Sequence, residues 1–111
     1  MEEVIKEIEN RLEDNLKQQE NISQEMTLLP KGHINVLYRK EKGYYYLTYR
    51  EKDKIKNQYL GPVGKCDLSN IMEKLAQRDK LNKELKYLKE KEKEYRKVLG
   101  KKHKNVNKNE I

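Results

Sequence analysis

The chain has 111 residues, of which 34% are hydrophobic and 41% are charged, and its formal net charge is +7. This length limits it to one domain, and the low apolar content excludes a large globular core. The composition fits either disorder or long helices that meet along a narrow apolar seam, and the periodicity described below favours the helices.

The charge is unevenly distributed. Residues 1–30 carry a net charge of −5, residues 31–66 carry +6, and residues 67–111 carry +6. This excess of positive charge in the middle and at the end predicts a polyanionic partner. The acidic start is unlike a signal peptide and no apolar run approaches membrane-spanning length, so we expect a soluble, cytoplasmic protein with no membrane partner.

The first predicted element is a helix over residues 1–29. Its apolar residues recur at alternating spacings of three and four, as in a coiled coil: Ile5, Ile8, Leu12, Ile22, Met26 and Leu29. Asn15 and Gln19 occupy two seam positions between them, so the seam has a polar interruption. Pro30 and Gly32 end the helix, because the residue before a proline disfavours helical backbone and glycine accepts most conformations.

Three strand-like runs follow, "HINVLYR", "YYYLTYR" and "KIKNQYL", within residues 33–61. Their period-two alternation and short polar connections predict an antiparallel meander, with Gly43 available for a positive φ in the first turn. The more apolar alternation is expected to face inward: Ile34, Val36, Tyr38, Tyr45, Leu47, Tyr49 and Tyr59. The opposite face is expected to hold Arg39, Tyr44, Tyr46, Arg50, Lys56 and Gln58.

A second helix is predicted over residues 67–99, where Asp67 or Ser69 can cap its start and Gly100 its end. Its seam is broken by Arg78 and Glu92 and otherwise consists of Leu68, Ile71, Leu75, Leu81, Leu85, Leu88, Tyr95 and Leu99. We expect the two helices to pair antiparallel, and dimerisation through the same seams is the alternative.

The predicted fold class is therefore α+β: two long helices in an antiparallel coiled-coil hairpin flanking a three-stranded antiparallel β-meander. Residues 1–100 form a single domain in this prediction. Residues 101–111 lack periodicity and are expected to be a disordered basic tail.

No motif predicts catalysis, a cofactor or a metal site. "GPVGK" at residues 61–65 lacks the Walker spacing and the following Ser or Thr. Cys66, His33 and His103 lack a fourth metal ligand. We expect a protein that is not an enzyme.

The outward sheet face predicts nucleic-acid binding. Cations contact phosphates and aromatic rings stack on bases, and both types of side chain are concentrated here. The candidate residues are Arg39, Lys40, Lys42, Tyr44, Tyr46, Arg50, Lys52, Lys54 and Lys56. The alternative is that these tyrosines only stabilise the sheet through cross-strand pairs, because the chain has no Trp and no Phe.

From Leu29 to Gly61 the chain resembles a widespread family of small, largely uncharacterised bacterial, archaeal and phage proteins, with an "LPKG" entry, a "YYYL-YR" strand and a "K-K--YLG" exit between two helices. Its central third is also similar to the arm-type DNA-binding domain of tyrosine integrases. That similarity implies a sheet in the major groove, with residues near DNA at Arg39, Tyr44, Tyr46, Arg50, Lys54 and Lys56.

These observations predict a small non-enzymatic nucleic-acid-binding protein. The first alternative is a protein-interaction module of a phage or mobile element that inhibits a nucleic-acid-handling host protein, as an anti-CRISPR protein does. The second is a structural coiled-coil dimer.

Overall fold

The computed structural model describes the backbone of residues 2–110 and the side chains of residues 2–100. Its elements are α1 (Glu2–Thr27), β1 (His33–Arg39), β2 (Lys42–Glu51), β3 (Lys54–Pro62) and α2 (Ser69–Glu110). The sheet order is β1-β2-β3 and both pairings are antiparallel. The predicted α+β fold class, with two helices flanking a three-stranded antiparallel sheet, is confirmed.

The chain divides into two compact units. The helical unit contains Met1–Thr27 and Leu81–Ile111, and the sheet unit contains Leu28–Lys80.

In the helical unit, α1 and α2 run antiparallel. Ile8, near the start of α1, borders the same cleft as Tyr95 and Val98 of α2. Further along α1, Asn15 bonds to Leu88, which precedes both of those residues in α2. Positions later in α1 thus meet positions earlier in α2, as the sequence predicted.

The seam of the helical unit lies where the heptad-like spacing placed it. Ile22 and Leu88 are each 8% exposed and are its most buried apolar side chains. The other predicted positions are half-buried: Ile5, Ile8, Leu12, Met26, Leu81, Leu85, Tyr95 and Leu99. Burial of such a narrow apolar stripe favours the pairing of the two helices.

The polar interruptions of the two seams meet each other. Asn15 is only 4% exposed, and its Nδ2 donates to the Leu88 carbonyl at 2.8 Å. Gln19 Nε2 donates to Asn15 Oδ1 at 2.6 Å and to Glu92 Oε1 at 2.8 Å. Arg96 Nε donates to Glu92 Oε2 at 2.6 Å. Because a buried amide without partners is costly, this network favours one alignment of the two helices.

The hairpin turns of the sheet unit are tight and use residues other than the one predicted. Lys40 and Glu41 connect β1 to β2 with φ values of 50° and 69°, the mirror-image turn that matches strand twist. Lys52 begins the second turn with φ 53°. The expectation that Gly43 supplies the positive φ was wrong: Gly43 lies inside β2, opposite Tyr38.

Two glycines of the "LPKG" and "YLG" motifs have structural roles. Gly32 has φ +113°, and a Cβ there would overlap the Thr48 carbonyl oxygen. Gly61 has φ +149°, and its Cβ would lie 2.6 Å from the Cβ of Cys66. Both positions therefore require glycine, because a side chain would be strained in backbone angle and in space.

The sheet unit has one apolar side chain excluded from solvent, Leu47 in the middle of β2, at 3% exposure among the described residues. Arg78 of α2 lies in the same unit, and its Nη1 donates to the Leu29 carbonyl at 3.0 Å. Arg78, a polar residue in the α2 seam, thus anchors the segment that leads into β1.

The start of α2 is capped by Asp67, one of the two predicted candidates. Asp67 Oδ1 accepts hydrogen bonds from the Ser69 hydroxyl and from the Ser69 backbone N–H, the latter at 2.9 Å. These bonds lower the pKa of the Asp67 carboxyl. The predicted end of the helix at Gly100 was wrong: α2 passes through Gly100, which is not among the glycines with a positive φ. The predicted disordered tail, residues 101–111, lies outside the residues whose side chains are described.

Candidate nucleic-acid interface

The strand register divides the sheet into two faces. Residues directly opposite each other in antiparallel strands point to the same side. The inner face contains Leu47 together with its partners Ile34 in β1 and Gln58 in β3. Its other members are Val36, Tyr38, Gly43, Tyr45, Tyr49, Glu51, Lys54, Lys56 and Gly61.

We call the opposite side the tyrosine face. Its centre is formed by Tyr46, which pairs with Asn35 on one side and Tyr59 on the other. Its other members are His33, Leu37, Arg39, Lys42, Tyr44, Thr48, Arg50, Ile55, Asn57 and Pro62. None of these described sheet residues is acidic.

Three tyrosine rings cluster in the middle of the tyrosine face. The ring centre of Tyr59 lies 5.4 Å from that of Tyr46 and 6.3 Å from that of Tyr44, with interplanar angles of 58° and 49°. Tyr59 is 53% exposed, whereas Tyr44 and Tyr46 are half-buried. Tilted contacts at these distances are favourable for aromatic pairs, and they leave ring surface open to a ligand.

A β-bulge in β3 shapes this cluster. Tyr45 pairs with Gly61 but Tyr46 pairs with Tyr59, so Leu60 is the extra residue. Bulges increase local twist and redirect side chains. Here the bulge places both Tyr59 and Pro62 on the tyrosine face, on either side of Leu60.

The cations of the tyrosine face lie at its two ends. Arg39 and Lys42 are paired at the first hairpin, and Arg50 pairs with Ile55 next to the second. All three cations are exposed. Lys42 and Arg50 are eight residues apart on β2, which corresponds to about 27 Å of extended strand. The face is thus an aromatic centre between two positive ends.

The nine predicted site residues divide into three groups. Five lie on the tyrosine face: Arg39, Lys42, Tyr44, Tyr46 and Arg50. Lys40 and Lys52 lie in the two turns between strands. Lys54 and Lys56 lie on the inner face, where they pair with Glu51 and Tyr49.

The face predicted for three β3 residues was wrong. Tyr59 was expected inward and lies on the tyrosine face, while Lys56 and Gln58 were expected outward and lie on the inner face. The apolar alternation does not determine the direction of these side chains, because strand pairing sets the face of each β3 residue. A two-residue turn at Lys52 and Asp53 aligns Glu51 with Lys54, and continuing this register brings Tyr46 opposite Tyr59.

Lys56 also differs from the tyrosine-face cations in its partner. Its Nζ lies 3.2 Å from Glu51 Oε2, and both side chains are about half exposed. An acid so close reduces the attraction of this end of the inner face for a polyanion. Arg50 is the neighbouring cation on the tyrosine face, where the described sheet residues include no acid.

A hydrogen-bonded row crosses the tyrosine face beside the rings. Asn35 Nδ2 donates to Thr48 Oγ1 at 2.7 Å, and Thr48 Oγ1 donates to Asn57 Oδ1 at 2.7 Å. The row joins all three strands, because Asn35 is in β1, Thr48 in β2 and Asn57 in β3. It holds both amide side chains against the sheet.

The residues considered for chemistry are dispersed. His33 lies in β1 opposite Thr48, and Cys66 is a half-buried free thiol next to Gly61. Among the described side chains, no group of three His, Cys, Asp or Glu residues is arranged to hold a metal ion. The same residues include no helix that is both long and apolar enough to cross a membrane.

The family model named Domain of unknown function (DUF6788) matches residues 2–68. The chain belongs to this family. The DUF6788 match covers more than half of the chain and includes α1, the three strands and all nine predicted site residues. No curated protein and no solved structure matches the chain.

Proposed function

We propose that this DUF6788 protein is a small, non-enzymatic nucleic-acid-binding protein and that its tyrosine face is the contact surface. The proposal rests mainly on one observation: three clustered tyrosines share a face with Arg39, Lys42 and Arg50, and no acid is present among the described residues of that face. Cations at the two ends neutralise phosphates, and the rings between them contact bases or sugars.

The turn lysines extend this surface beyond the ends of the strands. Lys40 follows Arg39 in the first turn, and Lys52 occupies the corresponding position in the second. Both are exposed. Their long side chains reach phosphates on either side of the ring cluster, so they contribute to affinity without selecting a sequence.

The similarity of the central third to the arm-type domain of tyrosine integrases supports the same partner class. That domain also contacts nucleic acid through a three-stranded sheet, so the similarity supports the partner class and not a particular strandedness. The positions that this similarity placed near DNA include Arg39, Tyr44, Tyr46 and Arg50, which the register brings to one face.

Neither alternative function has an observation of comparable weight. A coiled-coil dimer needs free apolar seams, but Ile22 and Leu88 are each 8% exposed within one chain. For an inhibitor of a host nucleic-acid-handling protein, the partner surface is a protein, whereas the cations of the tyrosine face and the lack of an acid among its described residues favour a polyanion.

The test is the salt dependence of binding, measured by fluorescence anisotropy with nuclease-treated, purified protein and labelled DNA and RNA. We expect the logarithm of the association constant to fall linearly with the logarithm of salt concentration, with a slope of roughly −2 to −4 for three to five phosphate contacts. Binding that does not respond to salt, or an absence of binding to every DNA and RNA tested, contradicts the proposal.

A further inference from the structure

We infer that the nucleic acid bound by the tyrosine face is single-stranded, with bases stacked on Tyr59 and its two neighbouring rings. This inference rests on the proposed function and makes it more specific. It concerns the strandedness of the ligand, which neither the family nor the net charge indicates.

The first argument is the position of the rings relative to the cations. The centre of the face is aromatic and apolar, since Leu37 is 47% exposed beside Tyr44, and Tyr59 is 53% exposed beside Tyr46. Charges are confined to the ends of the strands. A single strand that runs along β2 can place phosphates at both ends and bases over the centre. Flat base surfaces are accessible in a single strand and covered by neighbouring pairs in a duplex.

The second argument is the scarcity of groups that could read base edges. Recognition in the major groove uses amide and guanidinium groups aimed at base pairs. The two amides near the centre, Asn35 and Asn57, are both hydrogen-bonded to Thr48. Against a duplex, the rings of the centre would cover hydrogen-bonding base edges and satisfy few of them, which is unfavourable.

The third argument is the geometry of the cluster. The ring of Tyr59 is tilted by 49° to that of Tyr44 and by 58° to that of Tyr46. The cluster is therefore not one flat aromatic surface that would fit into a groove. Each ring instead presents its own surface. The span of about 27 Å between the end cations accommodates a segment of at least four nucleotides, the lower end of the site sizes seen for single-strand binders.

The test compares three probes of the same base sequence, each about 12 nucleotides long and thus within known site sizes. The probes are a DNA single strand, an RNA single strand and a DNA duplex, measured with the full chain at one salt concentration. We expect either single strand to bind about tenfold or more tightly than the duplex, because each stacked base adds separately. The two single-strand probes distinguish DNA from RNA as the ligand.

Three variants test whether stacking is responsible. We expect Tyr59→Ala to weaken single-strand binding by about fivefold or more, and Tyr59→Phe to retain it, since stacking needs the ring and not the hydroxyl. Tyr38→Ala is the matched control, because Tyr38 is 73% exposed but lies on the inner face. Retention of binding by Tyr59→Phe shows that the hydroxyl is dispensable, and an unchanged circular dichroism spectrum of Tyr59→Ala excludes misfolding as the cause of its loss.

The outcomes separate this inference from the proposed function. Equal or tighter binding to the duplex overturns the single-strand inference and leaves the proposed function standing. Single-strand binding that Tyr59→Ala does not alter also overturns the inference. A failure to bind any of the three probes overturns both.

Discussion

The rings of Tyr46 and Tyr59 lie 5.4 Å apart on one face of the sheet, although thirteen positions separate them in the chain. The second hairpin brings them together, since a two-residue turn and its register place Tyr59 directly opposite Tyr46. Tyr44 completes the group at 6.3 Å from Tyr59. The aromatic centre of the proposed interface therefore depends on strand pairing, and not only on the tyrosine run of β2.

The face assignment predicts unequal effects for two neighbouring cations. Arg50 lies on the tyrosine face, and Lys56 lies on the inner face with Glu51 at 3.2 Å. We expect Arg50→Ala to weaken nucleic-acid binding and to reduce the magnitude of the salt slope by about one. Lys56→Ala removes the same formal charge and should change the slope much less. Equal effects in anisotropy titrations would mean that the whole basic surface binds without a preferred face.

The polar layer of the helical unit predicts a stability effect at Asn15. Asn15→Ala removes the bond to the Leu88 carbonyl and leaves Gln19 with one partner fewer. We expect a loss of about 1–3 kcal/mol in the free energy of unfolding, as for other buried hydrogen-bonded groups. Asn10→Ala is the control: Asn10 is exposed on the same helix and should change stability by less than about 0.5 kcal/mol. Urea unfolding followed by circular dichroism measures the stability of both variants. Similar losses in the two would contradict a specific contribution of the Asn15 hydrogen bonds.

Glu92 predicts an acid-dependent loss of stability. Its hydrogen bond from Gln19, and next that from Arg96, lower the pKa of the Glu92 carboxyl below its usual range. Such a group stabilises the fold above its unfolded-state pKa of about 4.3, and this contribution is lost as the pH falls toward the lowered folded-state pKa. The Asp67 carboxyl, whose pKa is also lowered, acts in the same direction.

The measurement for Glu92 is the melting temperature as a function of pH. Glu92→Gln should lower stability at pH 7 and flatten its decline below about pH 4.3. Glu9→Gln is the matched control, because Glu9 is an exposed acid of α1. A wild-type profile and a Glu92→Gln profile that run parallel throughout the acid range would show that the network does not depend on the ionised carboxylate.

The substitutions Gly61→Ala and Gly100→Ala make the same chemical change, but we expect them to have opposite effects on the stability of the fold. A Cβ at Gly61 would lie 2.6 Å from Cys66 Cβ and 2.9 Å from its Sγ, on a backbone with φ +149°. We expect Gly61→Ala to destabilise the fold by about 1–3 kcal/mol. Gly100 lies inside α2 with no atom within 4 Å of the added carbon, so Gly100→Ala should stabilise the fold by about 0.5–1 kcal/mol. Thermal unfolding distinguishes these outcomes, and an unchanged melting temperature for Gly61→Ala would contradict the close contact with Cys66.

The helical seams were the part of the fold most accessible from the sequence. Spacings of three and four depend only on helix geometry, so they identified the polar positions Asn15, Gln19 and Glu92 as well as the apolar ones. Spacing could not provide the hydrogen bonds between these side chains, because the bonded residues lie 73 positions apart in sequence and their contact depends on how the two helices align.

In the sheet, the hydrophobic pattern predicts the direction of the side chains in β2 but not in β3. In β2 the apolar alternation identified the buried side correctly, since Leu47 is the centre of the inner face. In β3 six consecutive residues, from Lys54 to Tyr59, are exposed, so hydrophobicity carries little information about their direction. Counting outward from the two-residue turn does carry that information, and it would have assigned Tyr59 and Lys56 to their observed faces.

The most direct test of the tyrosine face uses the tyrosines as reporters. The chain has eight: three on the tyrosine face, three on the inner face, and Tyr87 and Tyr95 on α2. With ring-labelled tyrosine, NMR spectra recorded during titration with a single-stranded oligonucleotide report on all of them at once. We predict that the ring signals of Tyr44, Tyr46 and Tyr59 shift with the ligand while the other five remain in place. Shifts that are largest at Tyr38, Tyr45 or Tyr49, or at the two α2 tyrosines, would contradict the proposed interface.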